Sequence, residues 1–386
     1  MSTKTPEKIL QSFASTPIAV STAVFQGLTD YWKGAIARRA DPFDVLNDFN
    51  TWWQATTVHH EPKWAHGSTV VREWPVAKLL DYSVAKPTVK VPTLVLPPQA
   101  GHSSSIVDFA AADQSQMITI RNCGLDRLYT FSWLGATQAT KHYSIEEYIA
   151  IIDEAIDLIG GKANLIGDCQ GGWLATIYAA LRPAKVNSLT IGGAPIDTHV
   201  GDGVINEWVQ AMGAETDTRF YEMIVQAGNG VYSGENQIRG FKMLEPAAET
   251  ERIMGLLLQV GDPKALSRYK EFTDWFEWSQ DMPGDFYLWI VKYLFGENRL
   301  VKGTLEVGGE TVDLSKIHCR INLLAGTKDH ITPPEQVWAL ADYVSTPKSQ
   351  INRELVEAGH LGLFMGRESL SDHWTKLMSY ILPISK

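Results

Sequence analysis

A glycine-rich turn between a predicted strand and a predicted helix constrains the fold of this chain more than any other segment. Residues 167–172 (GDCQGG) follow an apolar run at 163–166 and precede a helical stretch that ends before Pro183. Small residues two positions on either side of the central residue let a strand and a helix approach closely around a strained backbone. The pattern indicates a nucleophile at Cys169, where a helix N-terminus favours a thiolate. The alternative is a buried structural cysteine in a tight turn.

The segments on both sides of this turn alternate between strand-like and helix-like patterns. Ser144 and Glu147 have capping-box spacing before a stretch with one apolar face, which predicts a helix that ends at a glycine pair. Short apolar runs predict strands at 92–96, 117–120, 128–133, 163–166, 186–191, 320–325 and 351–356. This alternation predicts an α/β fold with a mostly parallel sheet covered by helices.

Two segments depart from the alternation. Residues 1–85 contain five tryptophans at helix-like spacing, which predicts a Trp-rich helical N-terminal cap. Residues 197–295 are aromatic and without strand patterns, so we expect a helical lid inserted into a catalytic domain at 86–386. The chain has 13 tryptophans. Most should fill the core, and a channel for an apolar acyl or polyester ligand is the alternative.

Composition excludes several classes of function. The formal net charge of −10 at pH 7 offers no electrostatic footprint for nucleic acid or for an anionic membrane. No apolar stretch approaches the length of a transmembrane helix, and the first residues lack the pattern of a signal peptide. Three scattered cysteines are too few for a disulfide framework or a cysteine-rich zinc site. We therefore expect a cytoplasmic protein.

Two residues downstream of the turn can complete a catalytic triad. In α/β-hydrolases the chain order is nucleophile, acid, histidine. Asp329 follows one predicted strand and His360 follows the next, so both meet this order. His360 would act as the general base toward Cys169, and Asp329 would hold its tautomer. The alternatives are a turn-capping aspartate and a surface-loop histidine.

The same reasoning predicts an oxyanion hole. The N–H of Gln170 would be one donor, and the other would come from Gln99 or Ala100, because the two preceding prolines have no N–H. Three further residues are candidates for substrate contact near these loops, and ordinary structural roles remain open for each: His102, Trp173 and His330.

Several segments resemble the superfamily of polyhydroxyalkanoate synthases and intracellular poly(3-hydroxybutyrate) depolymerases, over roughly residues 90–384. Two of them, 164–172 (NLIGDCQGG) and 328–334 (KDHITPP), are similar to the synthase nucleophile box and to its catalytic aspartate segment. Four others look more like the depolymerase, and these lie at 98–102, 193–197, 281–288 and 359–367. The segment 359–362 (GHLG) resembles the catalytic histidine segment of both branches.

The resemblance implies an α/β-hydrolase fold and an acyl-enzyme on Cys169 formed from a 3-hydroxyacyl ester or thioester. Attack by water would then give hydrolysis, attack by a 3-hydroxyl would give chain growth, and attack by coenzyme A would give thiolysis. The oxyanion-loop and C-terminal motifs favour an intracellular Cys-dependent poly-3-hydroxybutyrate depolymerase or esterase. The alternatives are a short-type polyhydroxyalkanoate synthase and a non-catalytic protein that binds polyester granules.

This chemistry also sets the expected ligands and partners. No metal or organic cofactor is expected, because the triad and the oxyanion hole supply every required role, although a coenzyme A thioester can be a substrate. The expected ligand is a polyester or a hydroxyacyl ester or thioester. The short synthases that the chain resembles in length require a partner subunit, so a partner or a homodimer is expected, with association to polymer granules.

Overall fold

The computed structural model describes residues 5–110, 112–244 and 246–386. The chain divides into two compact units. The first comprises the residues up to Pro62 together with Glu235–Ser279, and the second comprises Lys63–Gly234 and Gln280–Lys386.

The first unit is built from helices. Asp41 caps the second of them in a capping box with Asp44, and Pro42 occupies the first helical position. Tyr31, Met254 and Leu257 are buried together in a small apolar core. The helices that contribute to this unit are Thr5–Ala37, Pro42–Thr57, Gly234–Leu244, Pro246–Leu257 and Pro263–Glu277.

The second unit contains an eight-stranded sheet. Its strands are β1 (Thr69–Trp74), β2 (Ala77–Asp81), β3 (Thr93–Leu96), β4 (Leu128–Trp133), β5 (Ala163–Asp168), β6 (Val186–Gly192), β7 (Arg320–Gly326) and β8 (Ile351–Val356). The spatial order is β1-β2-β4-β3-β5-β6-β7-β8. Both pairings of β2 are antiparallel, and the other neighbours are parallel. This mostly parallel sheet has the α/β-hydrolase arrangement, as predicted.

Helices connect the strands of this sheet. The α-helices are Gln116–Asn122, Ile145–Ile159, Gln170–Leu181, Val204–Ala211, Arg219–Ala227, Gly284–Trp289, Arg299–Lys302, Pro334–Trp338, Leu340–Tyr343, Gly362–Met365 and Thr375–Ile381. Two π-helical segments, Ile290–Gly296 and Ser369–Trp374, adjoin the helices next to them. Two-residue strands form two small antiparallel ribbons, Val231–Tyr232 with Met282–Pro283 and Glu306–Val307 with Glu310–Thr311.

Most predicted elements around the glycine-rich turn are confirmed. Helix Ile145–Ile159 begins with the predicted capping box, in which the backbone N–H of Ser144 donates to Glu147 at 2.6 Å. Tyr148 and Ile152 on its apolar face are completely buried in the main core. β4 and β8 have the predicted bounds. These segments combine a clear period with clear end residues, which is where sequence patterns are most informative.

Two assignments from the sequence were wrong. Residues 117–120 lie in helix Gln116–Asn122, because Ser115 caps it by accepting a hydrogen bond from the N–H of Ile118 at 3.1 Å. Part of the N-terminal segment 1–85, expected to be helical throughout, forms β1 and β2 of the sheet. Every residue of β1 but the last is exposed, so this edge strand has no alternation of buried and exposed positions to reveal it.

The unit boundaries also differ from the predicted ones. The first unit includes its N-terminal segment only up to Pro62 instead of residue 85. Of the expected lid, 197–295, the part Glu235–Ser279 belongs to the first unit and the remainder to the second. Among the described residues, no helix combines the length and the apolar character that a membrane crossing requires.

Candidate functional site

Cys169 lies at the junction of β5 and helix Gln170–Leu181 with a backbone conformation that non-glycine residues rarely adopt. Its φ is 51° and its ψ is −116°. The glycines on either side of Cys169 are required because other backbone atoms lie too close to them to leave room for a side chain. A Cβ on Gly167 would lie 2.3 Å from the carbonyl oxygen of Gly171, and one on Gly171 would lie 2.0 Å from that of Leu96. The turn therefore stores backbone strain and presents the Cys169 side chain at the end of the strand.

Asp329 and His360 form a buried pair. Asp329 follows β7 and His360 follows β8, and the ends of neighbouring parallel strands meet at one edge of the sheet. The Nδ1 of His360 lies 2.7 Å from Oδ2 of Asp329. Oδ1 of Asp329 accepts the backbone N–H groups of Ile331 at 3.0 Å and Thr332 at 2.9 Å. The carboxylate is thus held on one side by the backbone and on the other by the imidazole.

The electrostatics of His360 connect this pair to the cysteine. Burial by itself lowers the pKa of His360, and it is the largest single influence. The charge of Asp329 acts in the opposite direction, followed by the charge of Cys169 and by hydrogen bonds to both residues. Together these influences outweigh burial and raise the pKa of His360 well above its usual value. His360 therefore contacts both predicted partners. A cysteine, a histidine and a carboxylate in this sequence of contacts can form and discharge an acyl-enzyme.

The residues predicted for the oxyanion hole lie on the two expected loops. Gln170 is the first residue of the helix that follows Cys169. Gln99 and Ala100 are buried in the loop after β3, and Nε2 of Gln99 donates to the hydroxyl of Tyr148 at 2.6 Å. The close approach of the β3 end to Gly171 brings the start of this loop to the helix N-terminus. Their role as oxyanion donors stays a prediction.

The three other candidates have different surroundings. Trp173 is almost completely buried in the main core, with its ring 6.1 Å from those of Phe286 and Trp289. His102 is buried, and its Nδ1 lies 3.2 Å from the carbonyl oxygen of Ala100. The side chain of His330 is exposed, although Asp329 beside it is buried. Trp173 therefore packs as a core residue, and substrate contact by any of the three stays a prediction.

Sequence reasoning missed one group at this site. Asp168, between Gly167 and the cysteine, was treated only as a spacer, yet its carboxyl is completely buried and Gln116 donates a hydrogen bond to it. Burial raises its pKa to about 8, against the hydrogen bond from Gln116 and the charge of His360. The acidic residue in the motif was visible, but its partner, Gln116, immediately precedes a segment, 117–120, that the sequence assigned to a strand.

Comparisons with known proteins show what this chain is similar to. The chain is 27% identical over 260 residues to "Poly(3-hydroxyalkanoate) polymerase subunit PhaC" of Allochromatium vinosum, which covers 66% of this chain and 70% of that protein. It is 29% identical over 314 residues to "Poly(3-hydroxyalkanoate) polymerase 1" of Ectopseudomonas oleovorans, which covers 77% of this chain and 52% of that protein. A relative from Haloferax mediterranei is likewise matched over 53% of its length. The chain thus spans about half the length of some of these relatives.

A similar solved structure is that of a putative lipase from Acinetobacter baumannii, with 10% identity, a TM-score of 0.46, and 87% of this chain and 97% of that chain covered. The sheet order and the strained turn at Cys169 make this chain an enzyme of the α/β-hydrolase type, the class that contains carboxylic ester hydrolases and related acyltransferases. Residues 76–384 match the family described as "Protein of unknown function (DUF3141)", so the chain belongs to this family.

Proposed function

We propose that this protein is a cysteine-dependent acyltransferase that takes 3-hydroxyacyl thioesters, in the manner of the polymerases to which it is similar. The observation that carries the proposal is the contact of Cys169 with the buried pair of His360 and Asp329. The names of the relatives support this alternative from the sequence analysis more than the depolymerase that its motifs favoured.

The first half of the reaction forms the acyl-enzyme. Asp329 accepts the Nδ1 hydrogen of His360 and so leaves Nε2 free to take the thiol proton of Cys169. The thiolate attacks the thioester carbonyl, a C–S bond forms to Cys169, and the C–S bond to coenzyme A breaks. His360 returns the proton to the departing thiolate. The carboxylate of Asp329, which raises the pKa of His360, stabilises the protonated imidazole during this step.

The second half decides the product. The 3-hydroxyl of a second hydroxyacyl unit gives its proton to His360 and attacks the new thioester, so that an ester forms and Cys169 is released. Water in the same position would give the free acid instead. His360 and Asp329 are buried whereas Cys169 is half-buried, so transfer to the hydroxyl requires that the bound hydroxyacyl unit excludes water from the cysteine.

The strained turn supplies the remaining requirement, a place for the negative charge of the tetrahedral intermediate. The N–H of Gln170 belongs to the first residue of a twelve-residue helix, where helix N–H groups lack intrahelical partners. We assign it one of the two oxyanion bonds. The second is assigned to the backbone of Gln99 or Ala100.

The test follows one purified protein through three products of 3-hydroxybutyryl-coenzyme A: free coenzyme A, insoluble polyester and free acid. Mass spectrometry locates the acyl group. We expect coenzyme A release, polyester, and a hydroxybutyryl adduct on Cys169 that is absent in Cys169→Ala. Cys319→Ala is the matched control, because Cys319 is a free cysteine whose pKa burial raises to about 12.

Each other outcome contradicts part of the proposal. Acid without polyester, or release of acid from amorphous polymer, would make the protein the hydrolase that its C-terminal motif favoured. Sedimentation with polymer granules without any turnover would support the non-catalytic granule-binding alternative. Turnover by Cys169→Ala at the rate of the wild type would overturn the cysteine mechanism for both the acyltransferase and the hydrolase.

A further inference from the structure

A buried pair of side chains immediately precedes the proposed nucleophile. Asp168 is the last residue of β5, and its Oδ1 accepts a hydrogen bond from Nε2 of Gln116 at 3.2 Å. Both residues are completely buried. Within the described part of the chain, Oδ2 of Asp168 and Oε1 of Gln116 have no hydrogen-bond partner. The pair therefore makes one hydrogen bond and leaves two buried acceptors unsatisfied.

One proton satisfies both atoms. An ionised carboxylate and an amide oxygen can only accept hydrogen bonds. If Asp168 is protonated, its Oδ2–H donates to Oε1 of Gln116, and the two side chains close a ring of two hydrogen bonds. Exchanging the amide nitrogen and oxygen of Gln116 does not remove the requirement, because the amide oxygen would then face Oδ1 and need a proton there.

The surroundings of this carboxyl favour the neutral form. A Cβ on Gly192 of β6 would lie 3.5 Å from Oδ1 of Asp168 and in contact with the apolar rings of Phe364 and Trp374. Of the described ionisable groups, His360 is the one whose charge acts on Asp168. A buried carboxyl with a single cationic neighbour and an apolar wall is expected to hold its proton at neutral pH.

Two carboxyl groups therefore act on His360, and their roles differ. Asp329 bonds its Nδ1 directly and receives backbone N–H groups that suit an anion. Asp168 acts on it through space, and Cys169 also contacts the imidazole.

We propose that Asp168 is a positioning residue that Gln116 holds in its protonated form, so that Asp329 is the single carboxylate that acts on His360, and that loss of the Asp168 proton increases the reactivity of Cys169. The inference rests on the proposed function only in taking His360 as the base for Cys169. An anion at Asp168 favours protonated His360, which favours the thiolate of Cys169, the form that reacts.

The experiment measures the rate of Cys169 alkylation by iodoacetamide at a series of pH values between about pH 6 and pH 9, where an Asp168 that titrates near pH 8 changes its charge. The modified peptide is quantified by mass spectrometry, and the peptides of Cys123 and Cys319 in the same digest are internal controls. We expect an upward step near pH 8 on the order of tenfold, which equals a change of about one pKa unit in His360. In Asp168→Asn, whose amide closes the same ring with Gln116 but carries no proton to lose, this step should be absent.

A second measurement needs neither the variant nor any substrate. The infrared spectrum of the wild type should contain a protonated-carboxyl band that disappears as the pH rises through about 8. Coincident alkylation profiles in the wild type and Asp168→Asn, or no such band at neutral pH, would overturn the inference. A step and a band in a protein without coenzyme A turnover would support it while refuting the proposed acyltransferase.

Discussion

Replacing Asp168 with asparagine should stabilise the protein, and the gain should grow with pH. In the wild type, folding must protonate this carboxyl wherever the pH lies between its ordinary pKa of 3.8 and about 8. The unfolded chain binds fewer protons than the folded chain in this range, so stability falls as pH rises, by about 1.4 kcal/mol per pH unit. At pH 7 this cost is ~4 kcal/mol, and above about pH 8 it levels off, because the folded carboxyl ionises as well.

Asparagine avoids this cost at every pH, and its amide can both accept from and donate to the amide of Gln116. Thermal unfolding followed by tryptophan fluorescence should give a melting temperature at least about 5 °C above the wild type near pH 8, and a difference below about 3 °C near pH 5. Asp126→Asn is a control of opposite sign. Burial raises the pKa of Asp126, but hydrogen bonds from Thr88 and Val89 outweigh burial and lower it. The ionised Asp126 therefore stabilises the fold at neutral pH, and this stabilisation is lost as the pH falls through the folded pKa.

The pH dependence of the Asp168→Asn effect distinguishes a change in charge from a change in packing. A gain for Asp168→Asn that is equal at both pH values would mean that the asparagine acts through packing. A loss that increases with pH would mean that the folded protein stabilises the carboxylate, and it would refute the assignment of a neutral Asp168.

Four further predictions concern other residues of the protein. Asp329→Asn should lower kcat by ~10³–10⁴-fold, because the amide favours the wrong tautomer of His360, and a loss below about tenfold would contradict the triad. Gly171→Ala should destabilise the fold by more than about 2 kcal/mol, since its Cβ would lie 2.0 Å from a backbone oxygen of β3. Gly240→Ala, a helical glycine with open space around it, should instead raise stability by ~1 kcal/mol in the same denaturation assay. Tyr148→Phe should lower the melting temperature, because it leaves a buried amide unpaired at a cost of about 1–3 kcal/mol, and an unchanged value would refute this.

Much of the α/β body was predictable because local patterns and tertiary contacts agree there. The capping box at Ser144, the glycines around Cys169 and the short apolar runs each have a local physical cause, and each lies in the predicted element. The order of nucleophile, acid and histidine located Asp329 and His360 without any knowledge of the contacts between them.

The errors arose where the environment decides between two structures. A short run with three apolar residues in four suits a strand or a helix equally, and for 117–120 the cap at Ser115 decided in favour of the helix. β1 is an exposed edge strand whose partner, β2, provides its hydrogen bonds, so its side chains carry little information. The partition of 197–295 between two units likewise depends on packing partners distant in the chain.

The sequence by itself determined the position of the strained turn, the three residues of the proposed triad and the α/β-hydrolase class, because spacing, glycine and chain order encode them. Only the tertiary structure decided which groups surround those residues. Asp168 and Gln116 are 52 positions apart, and their pairing exists because both are buried at the same point. Burial and charge depend on residues brought together from the whole chain, and no local pattern reports them.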